Sequence, residues 1–245
     1  MAIQLVVENM NAVLYGKPVL RDVAVTAEAG KILALMGKTG SGKSTFLRVI
    51  NRMAEQYGAE VSGNITLNGS SIFMMPQSEL RQKVGLVFTE PVLFSGSVLQ
   101  NITAGLRLQG VRKKNQLEEA AEETLQRMGY WEDFRDELRL DASELTRSQA
   151  QVVCIARSLC PKPQLLLMDE PTRMTDTMTS IRLEEMLFNL KKDCTVVSAV
   201  HSPQLAGRIA DKTAMMEEGE ILEWGKTSDL FFHPKDARTQ AFVSA

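Results

Sequence analysis

Three glycines within six residues, Gly37, Gly40 and Gly42, stand between a short apolar run and a stretch of helical spacing. The apolar run, Ile32 to Met36, is long enough for a buried strand and too short for a helix. The connecting segment reads Gly37-Lys38-Thr39-Gly40-Ser41-Gly42-Lys43-Ser44-Thr45. Beyond it, Phe46, Leu47, Ile50 and Met53 predict a helix over Thr45 to Met53 with one buried face. Glycines let the backbone curl tightly, so that successive N–H groups turn into one concavity. A helix beginning at Ser44 adds its unpaired N–H groups and the positive end of its dipole. The spacing is that of a phosphate-binding loop, and a turn that binds nothing would rarely match it at so many positions. Lys43 is placed to reach the β and γ phosphates of a nucleoside triphosphate, and the Ser44 hydroxyl suits Mg²⁺.

A second acidic element completes such a site. Leu165 to Met168 is a continuous apolar strand followed by Asp169-Glu170. A carboxylate at the exposed end of a buried strand holds Mg²⁺ through its water shell, which suits Asp169. Glu170 is then positioned to orient or deprotonate an attacking water. On their own the two acids would read as a turn or helix cap; beside a phosphate loop they read as metal ligand and base. His201 ends the next strand, Thr195 to Val200, at the sheet edge where parallel sheets bind ligands, and a γ-phosphate contact is expected of it.

The remaining pattern is strands alternating with helices. Ile3 to Glu8 and Val19 to Ala27 read as strands around a Gly16-Lys17-Pro18 turn, and Val61 to Ile72 as a hairpin about Asn68-Gly69. Val84 to Phe88 and Thr213 to Met216 are further strands, the latter entering a hairpin at Glu218-Gly219 before a short terminal helix. Ser97 to Leu138 has no strand signal; Leu117, Ala120, Ala121, Leu125 and Met128 mark an amphipathic helix in it. Val152 to Leu159, ended by Pro161 and Pro163, and Ile181 to Leu190 are helices. This order predicts an α/β fold with a parallel sheet covered on both faces. Composition narrows function further. The 28 basic and 30 acidic side chains give a net charge of −2, so nucleic acid is not an expected partner. Arg112-Lys113-Lys114 reads as a solvated helix entry. No run approaches the roughly 18 apolar residues of a membrane span. Cys154, Cys160 and Cys194 form no CxxC pair, and buried inert thiols are expected.

With these residues in view, the sequence resembles the ATP-binding subunits of ABC transporters over nearly its whole length. The likeness rests on the phosphate loop, Leu165 to Thr172 (LLLMDEPT), Cys154 to Leu159 (CIARSL) and His201. Val84 to Pro91 (VGLVFTEP), Tyr130 to Leu138 and Phe232 to Phe242 are similar to the phosphate-importer branch. The resemblance implies a P-loop NTPase cassette with a mainly parallel core sheet, an antiparallel β subdomain and a helical subdomain. It implies one domain over 1–245, with core and β subdomain in 1–96 and 150–245 and the helical subdomain in 97–149. It implies binding of ATP with Mg²⁺ by Gly37 to Thr45, stacking of adenine on Tyr15, and ATP hydrolysis. It also implies pairing with a second ATPase subunit, homo- or heterodimeric, docking on transmembrane permease subunits at the cytoplasmic face of the membrane, and indirect work with an extracytoplasmic binding protein.

The departures from the family pattern share one location. Thr89 stands where the family carries a metal-reaching glutamine; it is too short to span the gap directly, and its hydroxyl would act through a water. The family's LSGGQ signature, which closes on the partner's ATP, here reads Leu145-Thr146-Arg147-Ser148-Gln149. Thr146 keeps a hydroxyl, but both glycines are replaced, against the close backbone approach they allow. Of the family's SALD after the acidic pair, Arg173-Met174-Thr175-Asp176 keeps the aspartate alone. Residues that would hold ATP in cis are intact, while those that would address a partner are altered. Arg147 either obstructs dimer closure, the favoured reading, or supplies a positive charge in trans. The expected activity is therefore ATP hydrolysis coupled to import of phosphate or a similar oxyanion. The alternative is an ATP-binding regulatory or asymmetric-dimer subunit with weak or no hydrolysis.

Overall fold

A computed structural model describes residues 1–244. The strands are β1 (Leu5–Leu14), β2 (Lys17–Ala27), β3 (Ile32–Met36), β4 (Glu60–Leu67), β5 (Ser70–Ser71), β6 (Val84–Val87), β7 (Leu165–Asp169), β8 (Thr195–Ala199), β9 (Lys212–Glu217) and β10 (Glu220–Lys226). The helices are α1 (Lys43–Ile50), α2 (Gln77–Lys83), α3 (Val98–Ile102), α4 (Ala104–Leu108), α5 (Lys114–Met128), α6 (Trp131–Phe134), α7 (Arg147–Leu159), α8 (Thr177–Leu190), α9 (Pro203–Ile209), α10 (Thr227–Phe232) and α11 (Ala237–Val243). They build a six-stranded sheet in the order β10-β9-β3-β8-β7-β6 and a four-stranded sheet in the order β2-β1-β4-β5. The first is parallel except for the β9–β10 hairpin; the second is antiparallel throughout. The expected fold class is the one observed.

The apolar strands owe their continuous hydrophobicity to burial on both faces. Ile32, Ala34 and Met36 of β3 join one core with α3, α5, α7, α8 and α9, while Leu33 and Leu35 join the other, with α1 and the antiparallel sheet. β7 divides likewise, with Leu166 and Met168 on the first side and Leu165 and Leu167 on the second. Helix α1 is thereby held between two sheets, and the loop preceding it is fixed at the C-terminal end of β3.

Local chemistry moved several boundaries. Helix α1 closes at Ile50 rather than Met53. Arg52 adopts φ 56°, its N–H donates to the Val49 carbonyl, and the Met53 N–H reaches back to Arg48. This is a Schellman closure with arginine in the position glycine usually takes, so no sequence signal marked it. The first hairpin turns at Tyr15-Gly16, both in the left-handed region, and Lys17 and Pro18 already pair with Leu14 and Val13. Pro18 is tolerated there because β2 is an edge strand. Asn68-Gly69 and Glu218-Gly219 form the expected hairpin turns. The stretch from Ser97 to Leu138 holds four helices rather than one, opened by a capping box between Ser97 and Gln100. Asp176 caps α8 and starts it one turn before Ile181. Two short helices close the chain where one was expected. The three cysteines are free and buried, and burial pushes the thiols up, Cys194 to about 12.

Candidate functional site

The loop between β3 and α1 demands glycine at two positions for distinct reasons. At Gly37 (φ 147°) a Cβ would run into the Met216 carbonyl oxygen and the Ser41 hydroxyl. Gly42 (φ 106°) is the residue at the N-terminus of α1, and a Cβ there would lie 2.8 Å from Leu20 of β2. The helix has no side-chain cap, so its first-turn N–H groups remain available to an anion. Lys38, Thr39 and Gly40 are exposed, Ser41 is buried, and Ser44 and Thr45 are half-buried.

Lys43 is buried under the loop. Its Nζ donates to the carbonyls of Gly37 at 2.7 Å and Lys38 at 3.0 Å, and lies 4.0 Å from Glu170 Oε1. Burial pulls its pKa down, opposed by the charges of Glu170 and Asp169. Ser44 Oγ donates to Asp169 Oδ1 at 2.9 Å, placing a hydroxyl and a carboxylate side by side at the end of β7. Burial raises the Asp169 carboxyl despite that hydrogen bond. Glu170 follows in the left-handed region (φ 46°), its N–H held by the Ala199 carbonyl at the end of β8. Its Oε2 accepts from Arg173 Nη1 at 2.9 Å. Lys43, Ser44, Glu170 and Arg173, with Thr89 and the loop backbone, line a cavity of about 250 Å³.

Other expected residues stand outside that cavity. Tyr15 lies at the tip of the hairpin whose Val19 lines it, and is 81% exposed. His201 is exposed and lines a neighbouring cavity of about 550 Å³ with Lys38 and Arg238 of α11. The altered signature segment begins α7. Thr146 and Gln149 form a reciprocal capping box, and Gln149 Nε2 reaches Glu137 at 3.3 Å. Arg147 is exposed, 3.6 Å from Glu90, next to Thr89. The Ser148 hydroxyl accepts from the Asp176 N–H at 3.0 Å, tying α7 to the loop after Glu170.

Arg173 was noted in the sequence for the pattern it breaks, not for what it does. Its i,i+3 spacing from Glu170, with opposite charge, was the available signal. A hard-oxygen pair such as Ser44 and Asp169 suits Mg²⁺, which keeps waters and takes its other ligands from phosphate. Among the described residues no group of three or more His, Cys, Asp or Glu gathers into a metal site.

Comparison with known proteins shows the family. A family profile described as ABC transporter matches residues 20–173. The chain is 39% identical over 228 residues to the phosphate import ATP-binding protein PstB 3 of Streptococcus pneumoniae TIGR4, covering 92% of this chain and 91% of that one. It is 37% identical over 240 residues to the phosphate import ATP-binding protein PstB of Borreliella afzelii PKo, covering 97% and 92%. Among solved structures, cbiO1 of Clostridium perfringens, part of the ABC transporter complex cbiONQ, superposes with TM-score 0.81 at 25% identity over 95% of this chain and 92% of that one. A bacterial Atm1-family ABC exporter with ATP bound superposes with TM-score 0.83 at 22% identity, over all of this chain and 42% of that one, a likeness of fold.

Proposed function

The chain belongs to the ABC transporter family, and from that premise we propose that it binds and hydrolyses ATP as a subunit of an importer for phosphate or a similar oxyanion. The observation that carries this reading is the convergence of Lys43, Ser44 and Glu170 on one cavity at the N-terminus of α1, with Asp169 hydrogen-bonded to Ser44 behind it. The loop N–H groups and the helix end take up the phosphate charge. Lys43 gives up the Gly37 and Lys38 carbonyls and turns its ammonium to the β and γ phosphates. Ser44 and Asp169 would hold Mg²⁺, which when bound neutralises charge on the phosphate oxygens. Glu170 orients a water and accepts its proton as the water oxygen bonds to the γ-phosphorus. The bond to the β–γ bridging oxygen breaks and its electron pair leaves with ADP, so that ATP and water give ADP, phosphate and a proton.

The rest of the machine is supplied by partners. The relatives covering nine-tenths of the chain are named for phosphate import. No helix of the described residues is long and apolar enough to cross a membrane. The chain is thus read as one unit, with core and antiparallel sheet from 1–96 and 150–245 and a helical lobe from 97–149. It docks peripherally on permease subunits at the cytoplasmic face and pairs with a second ATPase subunit. Tyr15 and His201 enter the site when adenine and the partner arrive, and Thr146 to Gln149 face the partner's nucleotide.

A second reading, a regulatory or asymmetric-dimer subunit with weak hydrolysis, is favoured by the Arg173–Glu170 and Arg147–Glu90 ion pairs. Phosphate release by the protein reconstituted with its permease in lipid vesicles tests the first reading. Hydrolysis that requires Mg²⁺ and is abolished by Glu170→Gln supports it. No release above the Glu170→Gln background leaves the regulatory reading.

A further inference from the structure

Glu170 is more tightly held than a base waiting for water needs to be. Its side chain is 10% exposed, and each carboxylate oxygen faces a cation, Oε2 on Arg173 at 2.9 Å and Oε1 on Lys43 at 4.0 Å. Its backbone is held by the Ala199 carbonyl in a left-handed conformation, and its side chain is held by these two cations. The Arg173 N–H in turn donates to the Glu170 carbonyl at 3.1 Å, which fixes the arginine's backbone one turn from its partner. The guanidinium has no second acceptor among the described residues, and its side chain is 49% exposed at the cavity mouth.

The two cations differ in what nucleotide would do to them. Lys43 lies under the phosphate loop and is drawn to phosphate when ATP enters, which frees Oε1. Arg173 holds the other carboxylate oxygen, and its bond to Oε2 persists unless the guanidinium itself moves. Each carboxylate oxygen keeps a spare lone pair, but the carboxylate cannot swing the freed Oε1 onto a water away from its resting position without breaking the charged Oε2–Arg173 bond. We propose that Arg173 is a positioning residue that clamps Glu170 in a resting orientation and slows activation of water, a brake built into the loop that follows the acidic pair. The proposal rests on the reading of Glu170 as the base, and it gives the altered loop a role of its own rather than the loss of one.

Steady-state hydrolysis by Arg173→Ser and Arg173→Lys, measured beside wild type and Glu170→Gln, tests it. Release of a partly exposed ion pair should raise kcat of Arg173→Ser roughly two- to tenfold with KM within about twofold. Arg173→Lys, which keeps the charge without the planar fork, should give a smaller rise. A readout without nucleotide is thermal unfolding of Arg173→Ser, Glu170→Gln and the double variant. Non-additive shifts in Tm support the clamp, and additive shifts overturn it. A kcat equal to or below wild type in both arginine variants also overturns it, provided Glu170→Gln abolishes hydrolysis. Hydrolysis that survives Glu170→Gln instead removes the base reading and the brake with it.

Discussion

Asp169 is kept at the end of β7 against its own preference. Burial raises its carboxyl, and among the described residues Ser44 is the one side chain that hydrogen-bonds it. A group whose folded pKa is raised adds stability that is complete at low pH and lost as pH rises through that value, so at neutral pH the ionised carboxylate is a cost. Asp169→Asn should therefore stabilise the nucleotide-free protein, by roughly 2–4 °C in Tm if the gain is about 1 kcal/mol. The same substitution should remove the stabilisation that Mg²⁺ with ATP brings; a Tm that falls without nucleotide would contradict the burial argument. At this scale the cradle was legible because its glycines fall at the spacing of a phosphate loop, and at Gly37 the Met216 carbonyl leaves no room for a side chain. The Arg173–Glu170 pair was not, since an acid and a base three residues apart ordinarily describe a solvated face.

Among the elements, the N-terminus of α7 joins three segments that lie far apart in sequence. Thr146 caps the helix, Ser148 takes the Asp176 N–H before α8, and Arg147 reaches Glu90 beyond β6. On the proposed dimer reading, an arginine held toward its own chain would meet the partner's nucleotide as an obstruction, and substitution tests it. Arg147→Gly should raise hydrolysis in the dimer and Arg147→Ala should do so less; a fall in both would instead mark a trans-acting cation. Element types were readable from apolar periodicity, whereas several ends were not. Helix α1 stops by a Schellman closure with no glycine, and the first hairpin turns at Tyr15-Gly16, one residue ahead of the expected Gly16-Lys17-Pro18. The buried Asn101 is another unmarked device. Its Oδ1 accepts from the Phe94 N–H and its Nδ2 donates to the Phe94 and Ser97 carbonyls, which fastens the loop before α3.

For the molecule as a whole, alkaline pH is the condition that burial makes most consequential. Tyr130 packs under Arg182 and against α8, and burial pushes its phenol up to about 12. Between pH 10 and 12 the unfolded chain loses this proton and the folded one keeps it, so stability present below pH 10 declines through that window. The decline is on the order of 2 kcal/mol, and Cys194, also raised to about 12, extends it downward from pH 9. Denaturant titrations of Tyr130→Phe should show a constant offset from the lost hydroxyl contact and a shallower fall between pH 10 and 12. A slope equal to wild type would place the alkaline sensitivity elsewhere.

Strand β3 belongs to both hydrophobic cores, residue by residue, and the phosphate loop is its direct continuation. The strand is paired on both edges and packed on both faces, so its amides should exchange with solvent only when the molecule opens globally. The loop thus has a rigid anchor at one end and the first turn of a doubly packed helix at the other. Its concavity is set by the fold before any anion arrives, and binding need not supply the entropy of arranging it. On the proposed reading, the same five buried residues that set the shape of the phosphate loop also tie the two cores together.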